Sequence, residues 1–240
     1  SKADKWIASE ELSHYKHYLE ASRRYKEHML SEKEEQILSA KSVTGRSAWN
    51  RYFDETLGAA KFELEGEELT EQEVLSKLHE PDRELREKAH ASLTKKFREL
   101  SRTLTFVFNT LLADKHTNDK LRNYDSWISS RNLTNEIDDA TVELLVNSVT
   151  GNYNLVQRFY RLKRNLLGYD KLYDYDRYAP LLENQEEVQW DKAREIVLSS
   201  YTEFHPEMGE IAGKFFEKSW IDAAIKPGKR GGAYSASTVP

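Results

Sequence analysis

The chain has 240 residues, enough for one large or two ordinary domains, with 32% charged and 38% apolar residues and a net charge of −5. Both charge signs are interleaved, which argues against nucleic-acid binding, and no apolar run is long enough to span a bilayer. Cysteine is absent, which removes disulfides, thiolate metal sites and cysteine nucleophiles and fits a cytoplasmic protein.

The first two-thirds read as helices. Leu12, Tyr15, Tyr18 and Leu19 form an apolar stripe at helical spacing. Ser31 with Glu34 has the capping-box pattern and starts a helix through Ile37 and Leu38. Ser47 to Leu57 gives a third helix with Trp49, Tyr52 and Phe53. Phe62, Leu64 and Leu69 then flank a Glu-Gly turn, which predicts a small β-hairpin over 61–69. Thr70 with Glu73 is a second capping box, opening a helix to Leu78, and Pro81 suits a first helical turn.

From Asp82 to about His116 neither Gly nor Pro intervenes. Leu85, Ala89, Leu93, Phe97, Leu100, Leu104, Phe108 and Leu111 keep spacings of three or four, which predicts one long helix with these residues as its buried face. A helix from Asp139 carries Val142, Leu145, Val146 and Val149; the next carries Leu155, Phe159, Leu162 and Leu166 and stops at Gly168. After an aromatic, aspartate-rich connection from Tyr169 to Pro180, a helical pair runs from Asp191 to Phe204 and from Pro206 to Lys218. Beyond Trp220 the pattern changes. Three of the ten glycines fall at 228–232, within a basic turn that leads into a small-residue strand. The expected fold is mainly α, with a hairpin near 61–69 and short strands after 220.

Candidate sites follow from side-chain chemistry. His14 and His17 lie three apart, a spacing able to chelate a divalent ion, but they flank the stripe of a highly charged helix and read as surface residues. Glu11-x-x-His14 and Glu87-x-x-His90 match the paired motif of di-iron bundles, yet both glutamates sit off the apolar faces. His79-Glu80-Pro81 begins like a zinc-protease motif, but no histidine follows, and the sequence holds no H-E-x-x-H. The tyrosines 169, 173, 175 and 178 could line a groove or fasten the connection to the helices, and Tyr suits both. Lys226, Lys229 and Arg230 could attract anions or form a solvated turn. Gly232-Ala233-Tyr234, with small side chains and accessible backbone, could pair with an extended peptide.

Several runs resemble one family in order along the chain. They are Phe62-Glu63-Leu64-Glu65-Gly66, Asp82-Arg83-Glu84-Leu85-Arg86, Lys163-Arg164-Asn165-Leu166-Leu167-Gly168-Tyr169-Asp170, Tyr175-Asp176-Arg177-Tyr178-Ala179-Pro180, and Trp220-Ile221-Asp222 followed by Lys229-Arg230-Gly231-Gly232-Ala233-Tyr234. They resemble the oligoendopeptidase F group of the thimet-oligopeptidase-like zinc metallopeptidases. The resemblance implies a helical protein with two lobes around a deep channel, acting on short peptides. It also implies a zinc ion held by the histidines of H-E-x-x-H and a further glutamate, with the motif glutamate as general base. No such residues are present, so no catalytic or metal-ligating residue is assigned; in the family they would follow Pro240. The chain is expected to be an N-terminal part. Residues 1–218 would form a helical lobe, and 219–240 would begin the catalytic region. Gly232, Ala233 and Tyr234 match the strand beside bound substrate, and the remaining catalytic part would be the partner. The competing expectation is a non-catalytic, all-helical interaction module.

Overall fold

A computed structural model describes residues 2–181, 188–224, 226 and 229. Eleven α-helices are described: α1 (Lys2–Ile7), α2 (Lys16–Arg24), α3 (Glu32–Ser42), α4 (Arg46–Ala59), α5 (Glu71–Lys77), α6 (Arg83–Leu121), α7 (Ser129–Thr134), α8 (Asp139–Gly151), α9 (Tyr153–Leu166), α10 (Trp190–Phe204) and α11 (Pro206–Glu217). Strands β1 (Phe62–Leu64) and β2 (Glu67–Leu69) lie between α4 and α5. Among the described residues the fold is mainly α with one antiparallel hairpin.

Local chemistry sets most boundaries. Both capping boxes form: the Ser31 N–H donates to Glu34 at 2.8 Å and the Thr70 N–H to Glu73 at 2.7 Å, satisfying donors that a helix start leaves orphaned. The hairpin pairs Phe62 with Leu69 and Leu64 with Glu67. Its two turn residues, Glu65 and Gly66, have φ of 54° and 89°, the left-handed geometry of a tight two-residue hairpin turn. Gly168 has φ 69°; its N–H bonds the Asn165 carbonyl and the Tyr169 N–H bonds the Arg164 carbonyl, a Schellman end for α9. Pro206 opens α11, where its missing N–H costs nothing.

Three expectations need correction. Pro81 lies outside α6, because Asp82 caps that helix by accepting the Glu84 N–H at 2.9 Å. A 3-10 turn at Ser13–Tyr15 interrupts the first stripe, so Tyr15 and Tyr18 face solvent while Leu12 and Leu19 are half-buried. In α6, which extends five residues past His116, Phe108 is 62% exposed and its neighbour Val107 is buried instead. Steps of four residues advance 400°, so a stripe of repeated fours drifts around the helix and leaves the core side.

The chain divides into two compact units. The first comprises residues 1–57 and 94–172, hence α1 to α4, most of α6, and α7 to α9. Its N-terminal helices are fastened to the end of α6 and to α7 by polar contacts. Arg122 forms a two-point ion pair with Glu35 (2.7 and 2.8 Å), and His28 donates from Nδ1 to the Arg122 carbonyl at 2.8 Å while stacking on Tyr124. His17 and Arg24 both reach Glu136 at 3.0 Å. The second unit comprises residues 58–93 and 173–240. Most of the buried apolar side chains among the described residues lie here: Phe62, Leu64, Val74, Ala89, Leu93 and Ala179. The hairpin thus places its inward face against α5 and contributes to a core. Helices α10 and α11 pack on each other as a pair.

Candidate functional site

The segment expected to touch substrate, Gly232, Ala233 and Tyr234, lies outside the described residues, as does Arg230. The approach to it is described. Helix α11 ends at Glu217; Ser219 follows with φ 52°, and the Trp220 N–H returns to the Phe215 carbonyl at 2.9 Å. The Trp220 ring meets Phe215 edge-on at 5.2 Å, with the Lys218 ammonium 5.2 Å from its centroid. Residues 221–224 form no strand. Lys229, a candidate anion ligand, folds back and donates to the carbonyls of Asp222 (2.5 Å) and Ala224 (2.7 Å) and pairs with the Asp222 carboxylate at 3.0 Å. These acceptors engage the ammonium within its own chain.

The tyrosine-rich connection is built around a buried carboxylate. Asp176 and Arg86 are both fully buried. Arg83 donates through Nε and Nη2 to the two oxygens of Asp176 (3.1 and 2.8 Å), Arg86 Nη2 adds a bond at 3.1 Å, and the Tyr173 N–H a fourth at 3.0 Å. Arg86 also binds the carbonyls of Tyr175, Glu80 and Pro81 at 3.2, 2.7 and 2.8 Å. Burial alone would push the Asp176 carboxyl up; the hydrogen bonds from Arg83, the Tyr173 backbone and Arg86 outweigh it and hold the pKa below its ordinary value. Tyr173 and Tyr175 stack at 5.3 Å, with the Arg83 guanidinium 5.8 Å from each ring, and Tyr178 stacks on His79 at 4.6 Å. Tyr173, Tyr175 and Tyr178 therefore fasten their part of the connection to the start of α6 and the residues just before it, the structural alternative of the two open to them.

The histidine decoys separate. His14 lies in the 3-10 turn and packs edge-on against Tyr15, whereas His17 lies in α2 and pairs with Glu136. His79 precedes the α6 cap, and His90 faces Asp174 at 3.8 Å. Among the described residues no group of three His, Asp or Glu side chains is placed to hold a metal ion, so these residues do not fit the zinc that the resemblance implies. Among the described residues, the clefts of the first unit include two that are notable for their lining. One, of about 640 Å³, is lined by Trp49, Tyr52, Arg102 and Phe106; the other, of about 1040 Å³, runs past the Glu35–Arg122 pair. No helix among the described residues is long and apolar enough to cross a membrane.

The Asp176 anchor escaped the sequence reading, although a signal exists. Arg86 falls three residues before Ala89 and seven before Leu93, on the apolar face of α6. A cation on a buried stripe requires a buried anion, and Asp176 lies in another of the runs that carry the resemblance.

Comparison with known proteins decides the family. Residues 1–62 match the family model described as Oligopeptidase F, and residues 76–240 match that of Peptidase family M3. The chain belongs to peptidase family M3. It is 28% identical over 95% of its length to group B oligopeptidase PepB of Streptococcus agalactiae, and 26% identical over 96% to oligopeptidase PepF of Bacillus subtilis. It spans only 39% and 35% of those two proteins. The crystal structure of oligoendopeptidase-F from Enterococcus faecium superposes with a TM-score of 0.70 at 21% identity, over 95% of this chain and 50% of that one, which shows the shared fold.

Proposed function

We propose that this chain is the N-terminal part of a zinc-dependent oligoendopeptidase that hydrolyses peptide bonds in short peptides, in the cytoplasm. The carrying observation is the M3 match over residues 76–240, joined to relatives named oligopeptidases of which the chain spans about two-fifths. Residues 1–218 serve as a helical lobe and channel wall, and residues 219–240 begin the catalytic region. The sequence lacks H-E-x-x-H, so the zinc ligands and the rest of the catalytic machinery belong to the remaining part of the protein. This segment contributes binding. Gly232, Ala233 and Tyr234 present backbone groups to an extended peptide, and main-chain pairing tolerates many substrate sequences.

The test uses the longer protein encoded by the same reading frame. Gly232→Pro removes a backbone donor and fixes φ. We expect kcat/KM on a quenched peptide to fall tenfold or more while zinc content stays at the parental level. Unchanged kinetics would remove the segment from the substrate site, and lost zinc would trace the effect to misfolding. A longer protein with neither zinc nor peptidase activity would favour a non-catalytic helical module.

A further inference from the structure

Helix α9 presents its apolar residues to the wrong side. Leu155, Phe159, Leu162 and Leu166 are 49, 53, 56 and 63% exposed, while Lys163 on the same helix is only 7% exposed. At 100° per residue the four apolar side chains fall within an arc of about 60°, a continuous uncharged stripe. Large apolar side chains ordinarily occupy the interior and lysine the surface. An outward stripe of this kind marks a surface that another polypeptide covers.

One observation identifies the occupant. The chain spans 39% and 35% of the two oligopeptidases described above, so most of their length has no counterpart here. The apolar surface continues onto α8, which contacts α9 and leaves Leu144, Leu145, Val146 and Val149 more than half exposed. A segment of the same chain is held near such a surface at high effective concentration by its tether. We propose that the α9 stripe is the seat of an apolar surface from the part of the protein that lies beyond this chain, and that its docking joins this lobe to the rest. The inference rests on the reading under Proposed function.

The absence of cysteine from the chain gives a direct test. Leu162→Cys places one thiol on the stripe and Arg161→Cys one on the exposed flank. Each is made in the 240-residue chain and in the longer protein with any other cysteines replaced by serine. Maleimide labelling of Leu162→Cys is expected to be at least tenfold slower in the longer protein, with Arg161→Cys equally fast in both. Phe159→Cys repeats the measurement should Leu162→Cys fold poorly by circular dichroism. Equal labelling of the stripe thiols in both proteins overturns the proposal. So does protection in the short chain that disappears on dilution, which would assign the stripe to a second copy, and so does a reading frame that ends at residue 240. Peptide cleavage by a longer protein with an unprotected stripe sinks only the docking surface. Protection without peptidase activity sinks only the functional reading.

Discussion

Asp176 concentrates the energetics of the second unit in one side chain. Its four hydrogen bonds come from Arg83, Arg86 and the Tyr173 backbone, and both Asp176 and Arg86 are shut off from water. Removing one member of such a set leaves buried charge without its counter-charge, which costs about 3–5 kcal/mol. Asp176→Asn keeps the shape and removes the charge; its urea midpoint should fall steeply, and a midpoint within error of the parent would show that the anchor is dispensable. Glu35 makes a second, more exposed case. The Arg122 guanidinium hydrogen-bonded to it, aided by the Leu30 N–H, holds its carboxyl at about 2. A carboxyl lowered on folding contributes stability that is complete above its unfolded pKa, about 4.3, and that disappears as pH falls through the folded value. Asp176 is shifted the same way. Stability should therefore decline from about pH 5 towards pH 2. Glu35→Gln should shrink that decline, modestly because the pair is partly solvated. Equal slopes for parent and variant in urea titrations across this range would exclude Glu35 as a contributor.

Helix α6 tests which side of a long helix is core. Leu93 is buried and Phe108 is mostly exposed, although both keep the spacing of one stripe. Leu93→Asp would bury an unpaired carboxylate and should cost several kcal/mol, above about 3. Phe108→Asp should leave the melting temperature of the chain within a few degrees. Similar losses from both would put Phe108 in the core and restore the stripe read from the sequence. Features decided within a few residues were legible: two capping boxes, the Glu65-Gly66 turn, the Gly168 stop and the Pro206 start all form. What depended on distant partners was not. Val107 rather than Phe108 turns inward because of what packs on α6, and the stripe of α9 faces outward although its period reads as core. The Asp176 anchor joins residues about 90 positions apart. Its identity could be sought only by asking what neutralises Arg86. Helix α7, short and without a sustained apolar period, gave no signal at all.

The family relationship covers nearly the whole chain, yet the chemistry that the family implies needs a cluster of ligands that the described residues do not assemble. A catalytic zinc site takes three protein ligands and leaves one position open. The seven histidines include no H-E-x-x-H pair, and those at 14, 17, 79 and 90 are engaged by Tyr15, Glu136, Tyr178 and Asp174 respectively. Without a third converging ligand, any zinc bound by an exposed histidine–carboxylate pair should be weak and easily removed. The 240-residue chain, dialysed against metal-free buffer and then against a small excess of zinc, should retain well under one ion per molecule by elemental analysis. It should also leave a quenched oligopeptide uncleaved. A stoichiometric ion, together with cleavage abolished by a chelator and restored by zinc, would show that this segment builds a site of its own, and would overturn the assignment of the catalytic machinery to the rest of the protein.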